Sequence, residues 1–301
     1  MARRGRFAPT PSGPLHFGSL VAAAGSFLDA RADGGEWHVR IDDLDPPRVT
    51  PGAEASILAT LESLGFAWDG PVVRQSGRTA AYEDALATLR ASARLYDCTC
   101  SRTDIARAGL VGIDGPRYPG TCRGRTVTDR AHAVRLDVRG VTVAFEDALQ
   151  GQVVQELHAA TGDPVLRRAD GVHSYPLACV VDDGIDGFTD IVRGADLLDS
   201  TPRQIHLQRL LDLPTPAYVH LPVALDPAGN KLSKQTLAPA VASADWWVTL
   251  APVLAFLGHL PPADLRAGTL VDFWVWAIAA WDREHIPRSR SAPAPASVTP
   301  A

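Results

Sequence analysis

The sequence predicts an α/β fold with a parallel sheet, on three observations. Gly5-Arg6-Phe7-Ala8 and Trp37-His38-Val39-Arg40-Ile41-Asp42 read as strands. Between them Leu20, Val21, Ala24, Phe27 and Leu28 recur at helical intervals, and Gly34-Gly35 stops the helix. Strand, helix and strand in that order make a βαβ unit with a right-handed crossover.

The remaining elements follow along the chain. In the loop 9–18, His16, Gly18 and Ser19 sit where a helix N-terminus presents unpaired N–H groups and the positive end of its dipole, a natural seat for phosphate. The bland alternative is a simple helix entry capped by Ser19. Residues 51–65 and 79–95 read as helices behind Thr50 and Thr79 caps, with core faces Ile57, Leu58, Leu61, Leu64 and Tyr82, Leu86, Leu89. Val134 to Asp147 alternates apolar and polar residues and reads as a hairpin turning at Arg139-Gly140. Asp245 to Leu260 and Leu270 to Trp281 form two C-terminal helices, in which the adjacent Trp246 and Trp247 read as packing. The Pro-, Ala- and Ser-rich segment 287–301 reads as disordered.

The 301 residues include 46% apolar and 21% charged side chains, enough for a core and its cover. A net charge of −5 argues against a protein that coats nucleic acid indiscriminately, though local Arg clusters can still hold a tRNA. No apolar run reaches the length of a membrane span, and the Arg3-Arg4 start lacks a secretory hydrophobic segment, so a cytoplasmic location is expected. Oligomeric state is open, with a monomer the default.

Four cysteines are too few for a secreted disulfide scaffold. Cys98, Cys100 and Cys122 share one Gly- and Arg-rich stretch and offer three thiolates to a zinc ion, which prefers four ligands. Tyr118, Asp97 and His132 are candidates for the fourth. Cys179, within the apolar run Leu177 to Val181, reads as a core thiol.

Lysine occurs only in Lys231-Leu-Ser-Lys234-Gln235; every other basic position among Lys and Arg is Arg. A mobile ammonium differs from a planar guanidinium, and its frequent partner is a nucleotide phosphate. PTPSGPLHFGS and KLSKQ together resemble the HIGH and KMSKS signatures of class I aminoacyl-tRNA synthetases. Arg40 to Pro46, Arg168 through Asp183, and Ile191 through Gln204 resemble further blocks of the glutamyl and glutaminyl members.

The resemblance implies a Rossmann-like catalytic domain: residues 1–95 as its first half, 96–125 as a zinc-binding insert, 126–240 as its second half with the KLSKQ loop, 241–285 as a short helical C-terminal region and 286–301 as a disordered tail. It leaves no room for an anticodon-binding domain. The chain looks like the subfamily that activates L-glutamate with ATP and Mg²⁺ and places it on the queuosine base of tRNA(Asp) instead of on a 3′ terminus. A truncated synthetase charging a 3′ end, or an idle tRNA-binding paralogue, are the alternatives.

By the same resemblance, His16, Gly18, Ser19, Lys231 and Lys234 bind ATP, with His16 and Lys234 catalytic. Arg6, Phe7, Ala8, Pro9, Thr10, Asp42, Tyr175 and Arg193 bind glutamate. The CxC and YxxxC pattern makes Tyr118 the fourth ligand of one zinc per chain. The ordinary alternative for Arg6 and Arg193 is a structural ion pair. Asp42 stands where most relatives have Glu; the shorter reach calls for a strand shift, a bridging water or help from Asp43.

Overall fold

The computed structural model describes residues 2–92, 94–127, 131–232 and 245–296. It opens with β1 (Arg4–Phe7), α1 (Phe17–Arg31) and β2 (Glu36–Ile41), and β1 pairs with β2 in parallel, Phe7 opposite Val39. Next come α2 (Ala53–Ser63), β3 (Val73–Arg74), which extends the sheet beside β2, and α3 (Thr79–Ser92). Ile57 and Leu61 of α2 and Tyr82, Leu86 and Leu89 of α3 are buried, as their spacing implies. Neither threonine caps its helix. A left-handed Gly52 (φ 78°) precedes α2, and a 3₁₀ turn over Gln75–Arg78 runs directly into Thr79.

The middle of the chain holds β4 (Leu95–Cys98), α4 (Arg102–Arg107), β5 (Val111–Gly112), β6 (Gly115–Pro116), β7 (Ala133–Leu136), β8 (Thr142–Asp147), β9 (Gly151–Glu156), α5 (Leu157–Ala160) and β10 (Val165–Arg167). The expected hairpin over 134–147 does not form. β7 pairs with β4 and β10, whereas β8 pairs with β9. Val134, Leu136, Val138 and Val143 are all buried, so the alternation marks the inward face correctly. It carries no information on which strand lies alongside, and the turn at Arg139-Gly140 passes the chain from one sheet to another.

The last part comprises α6 (Tyr175–Ile185), β11 (Asp190–Gly194), α7 (Thr201–Leu210), β12 (Ala217–Leu221), β13 (Val223–Leu225), α8 (Trp246–Phe256), α9 (Leu270–Ala280) and β14 (Ser291–Pro293). β11 and β12 run parallel, and β12 touches β8 through Tyr218 and Asp147. β1 lies against β11, where Thr189 N donates to Arg4 O at 3.0 Å and Arg4 N donates to Thr189 Oγ1 at 2.9 Å. Two parallel units therefore meet at β1 and β11, and the crevice beyond their C-terminal ends is where such sheets bind ligands. α1 covers this junction closely: a Cβ at Gly25 would lie 2.4 Å from Leu221 Cδ1.

Trp246 and Trp247 pack on Phe273 of α9, as read from sequence. The tail differs from its expectation. β14 pairs in parallel with β13, Val223 opposite Ser291, and Ala294 N donates to Leu225 O at 2.8 Å. A free strand edge accepts backbone bonds whatever the side chains, so a low-complexity composition does not prevent docking. Residues 297–301 lie outside the described residues. Among the described residues no helix is long and apolar enough to cross a membrane.

Candidate active site and metal centre

At the C-terminal ends of β1, β11 and β12 lies a cleft of about 240 Å³. Its lining includes Arg6, His16, Tyr175, Arg193, Asp196 and Lys231, with Phe7, Ala8, Gly18 and Ser19 around them. A second, more open cleft of about 650 Å³ shares Phe7, His16, Ser19 and Lys231 and adds Pro9 and Thr10. The structure thus gathers the N-terminal loop and Lys231 from opposite ends of the chain around one space. Lys234 lies outside the described residues.

His16, not Ser19, caps α1. Its Nδ1 accepts from Ser19 N at 3.3 Å, so a neutral ring carries its proton on Nε2. Gly18 is held between chain segments: a Cβ there would meet the His16 ring at 3.2 Å and the Leu232 carbonyl oxygen at 3.3 Å. Any side chain would push the Lys231-Leu232 segment away from the helix entry. Lys231 Nζ pairs with Asp196 Oδ2 at 2.6 Å, and both residues line the cleft.

Arg6 is buried, and its Nε and Nη2 grip Asp183 at 3.2 Å each. Arg40 adds Nη1 to Asp183 at 2.6 Å and Nε to Asp42 at 2.7 Å. Burial opposes ionisation of Asp183, yet Arg6 and Arg40 hold its carboxyl well below the usual range. The structural ion pair weighed for Arg6 is therefore present, on the edge of Nε and Nη2, in a residue that also lines the cleft. Cys179 is buried as expected but not among apolar groups. Its Sγ donates to Asp183 Oδ2 at 3.4 Å and accepts from Arg40 Nη2 at 3.6 Å.

Asp42 is not part of the first cleft. It lines a neighbouring cleft of about 390 Å³ that includes Thr10, Arg48, Arg168 and Tyr175. Burial raises its carboxyl despite the opposing pull of Arg40. Tyr175 lines both clefts and joins them. Asp43 is not among the residues lining that cleft, and its two oxygens accept from Ser76 N at 2.8 Å and Ser76 Oγ at 2.7 Å.

Arg193 is buried below the first cleft and donates to four side chains. Nη1 reaches Tyr175 Oη at 3.3 Å, Nη2 reaches Thr201 Oγ1 at 2.8 Å and Gln204 Oε1 at 2.7 Å, and Nε reaches His220 Nε2 at 3.1 Å. Four of its five N–H groups are thereby oriented. Asp183, Asp196 and His220 received no role from the sequence. For Asp183 and His220 the signal was a polar residue at an inward position of an otherwise apolar element, as His220 is in Tyr218-Val219-His220-Leu221; the exposed Asp196 carried no such signal.

The sulfurs of Cys98, Cys100 and Cys122 lie within 4.8 Å of one another, with Cys100 and Cys122 at 3.5 Å. β4 delivers Cys98, and a capping box at Ser101 and Asp104 turns the chain into α4. Tyr118 is buried beside them, and its Oη accepts from Cys122 N at 2.8 Å. Burial works against a thiolate at Cys122, but bonds from Tyr118 and Thr99 bring it down to about 7, while burial pushes Cys100 up to about 11. Three clustered thiols and a phenol oxygen suit a tetrahedral zinc. Asp97 instead meets Arg90 at 3.2 Å and His132 at 3.6 Å.

A parallel sheet with its ligand crevice at the β1 and β11 ends, a histidine-capped helix over that crevice and a lysine from a late loop define the class I synthetase type of nucleotide site. Residues 3–249 match the family model for tRNA synthetases class I (E and Q), catalytic domain, and the chain belongs to that family. It is 54% identical over 292 residues to a protein of Aromatoleum aromaticum called glutamyl-Q tRNA(Asp) synthetase, covering 97% of this chain and 92% of the relative. A protein of the same name from Dechloromonas aromatica is 54% identical over 95% of this chain and 96% of its own. In fold, the chain resembles a glutamate tRNA ligase from Elizabethkingia meningosepticum, with a TM-score of 0.80 at 23% identity, covering 98% of this chain and 68% of that one.

Proposed function

We propose that this chain activates L-glutamate with ATP and transfers it to the queuosine base in the anticodon of tRNA(Asp). Supporting the proposal most directly is the first cleft: two buried guanidiniums, Arg6 and Arg193, flank a space that opens on the α1 N-terminus and Lys231. The positive charge of these two guanidiniums favours a carboxylate side chain over its amide. The curated relatives' shared name supplies the acceptor.

The glutamate α-carboxylate oxygen attacks the α-phosphorus of ATP, the bond to the bridging oxygen breaks, and pyrophosphate leaves. His16 Nε2–H and the N–H groups of Phe17 and Gly18 face the α-phosphate, while Lys231 and Lys234 answer the charge on the leaving group. Lys231 must exchange its contact with Asp196 for phosphate. Mg²⁺ arriving with ATP would neutralise phosphate oxygens. Phe7 to Thr10 line the amino acid, Tyr175 contributes a hydroxyl, and Asp42 faces the ammonium from the adjoining cleft. A hydroxyl of the queuosine base then attacks the acyl carbon and passes its proton to a phosphate oxygen of the adenylate, and AMP leaves with the electron pair of the broken acyl–oxygen bond. Positioning and charge do this work without a nucleophilic side chain. Cys98, Cys100, Tyr118 and Cys122 would hold one zinc, which would staple the insert and take no part in these steps.

The test is ATP–pyrophosphate exchange by the purified protein without any tRNA. Exchange that depends on glutamate and is at least about tenfold weaker with glutamine or aspartate is expected. No exchange under any condition would leave the idle-paralogue alternative standing.

A further inference from the structure

We propose that the buried pair Asp147 and His220 positions Arg193 for its ligand by fixing which nitrogen of the imidazole bears the proton. The inference rests on the proposed role of Arg193 in holding glutamate.

Register creates the arrangement. β11 and β12 run parallel with Arg193 opposite His220, and Tyr218 of β12 stands opposite Asp147 at the end of β8. Both His220 and Asp147 are buried. Asp147 Oδ1 accepts from the backbone N–H groups of Leu149 at 3.0 Å and Gln150 at 2.9 Å, which fixes the carboxylate in the turn between β8 and β9. Its Oδ2 meets His220 Nδ1 at 2.6 Å. A carboxylate can only accept, so the proton must sit on Nδ1.

Nε2 is then a lone pair, and it accepts from Arg193 Nε at 3.1 Å. Guanidinium carries no acceptor, so the opposite tautomer would set two N–H groups against each other and expel Arg193 from its place. Thr201 Oγ1 lies 3.1 Å from the same nitrogen and can send its hydrogen to Leu197 O at 3.2 Å. Burial lowers the imidazole to about 4 against the pull of Asp147, which keeps it neutral beside the arginine. Neither Asp147 nor His220 lines the cleft, so both act through Arg193.

Three variants separate positioning from mere support. In Asp147→Asn the backbone donors keep the amide oxygen in the Oδ1 place, so the NH₂ faces Nδ1 and drives the proton to Nε2 with little change of volume. His220→Asn keeps a donor for Asp147 but removes the acceptor for Arg193. His220→Gln restores an acceptor near the Nε2 position. In glutamate-dependent pyrophosphate exchange, the first two should raise KM for glutamate about 10–100-fold. KM for ATP should stay within about twofold, and His220→Gln should recover most of the loss.

Equal shifts in both KM values, or unchanged glutamate KM in folded Asp147→Asn, would overturn the inference. ¹⁵N imidazole shifts of the wild-type protein report the tautomer directly and need neither activity nor folded variants. A proton on Nδ1 supports the inference, and one on Nε2 refutes it. Wild-type protein that shows no glutamate-dependent exchange would refute the proposed function, while the imidazole signal still decides the tautomer.

Discussion

Lys234→Ala lowers glutamate-dependent pyrophosphate exchange by about 10²–10³-fold, as removal of one positioned donor to developing charge does elsewhere. The reason lies in the neighbouring residues. Leu232 O lies within reach of any side chain placed at Gly18, so Lys231-Leu232, the described start of the lysine motif, runs alongside the helix entry assigned to the phosphates. Lys231, its companion, is held by Asp196 at 2.6 Å. Lys231 must leave Asp196 to reach the pyrophosphate, and Lys234 is the second cation assigned to that leaving group. The loss should fall on kcat with thermal stability unchanged, because the side chain meets its charge only as the bond breaks. A folded variant that turns over within about twofold of the wild type would remove Lys234 from the mechanism.

Removing zinc has the largest expected effect on structure. The insert buries only Cys98, Tyr118 and Cys122, with Tyr96, Cys100 and Ile105 half-buried around them. That cluster is too small to hold a fold alone, and structural zinc contributes on the order of 10 kcal/mol in comparable small sites. The insert also leans on the core: Arg123 pairs with Asp163 at 2.5 Å, and the Arg135 guanidinium lies 4.0 Å from the Tyr118 ring centroid. Chelation should therefore release about one zinc per chain and open residues 99–125 to protease at least about tenfold faster, with the two large core clusters intact. Metal-free protein by elemental analysis with a protease-resistant insert would show that the three thiols serve another purpose.

Much of this architecture is legible in the sequence because single residues report on local physics. Leu20, Val21, Ala24, Phe27 and Leu28 all fall on the buried side of α1, and Ile57 and Leu61 on that of α2. The paired lysines point to a phosphate site because the chain otherwise writes arginine. What escapes local reading is partnership. The alternation in Val134 to Asp147 is real, but its two halves belong to different sheets. Composition says nothing of the edge that β13 offers to Ser291–Pro293. Cys179 sits in an apolar run of sequence, yet the helix turns its sulfur toward Arg6, Arg40 and Asp183, residues contributed by distant segments. The links from Arg193 to His220 and Asp147 depend on strand register, which no one-dimensional pattern encodes.

The central claim, that glutamate activated in this cleft goes to a modified anticodon base, is tested most directly by following labelled glutamate. Three tRNA(Asp) preparations are needed: one bearing queuosine, one lacking it, and one bearing queuosine with its 3′ terminus trimmed. Label on the first and third and none on the second is the predicted result. Label that disappears with the 3′ terminus, whatever the state of the anticodon, would contradict the claim and assign the chain to charging tRNA ends.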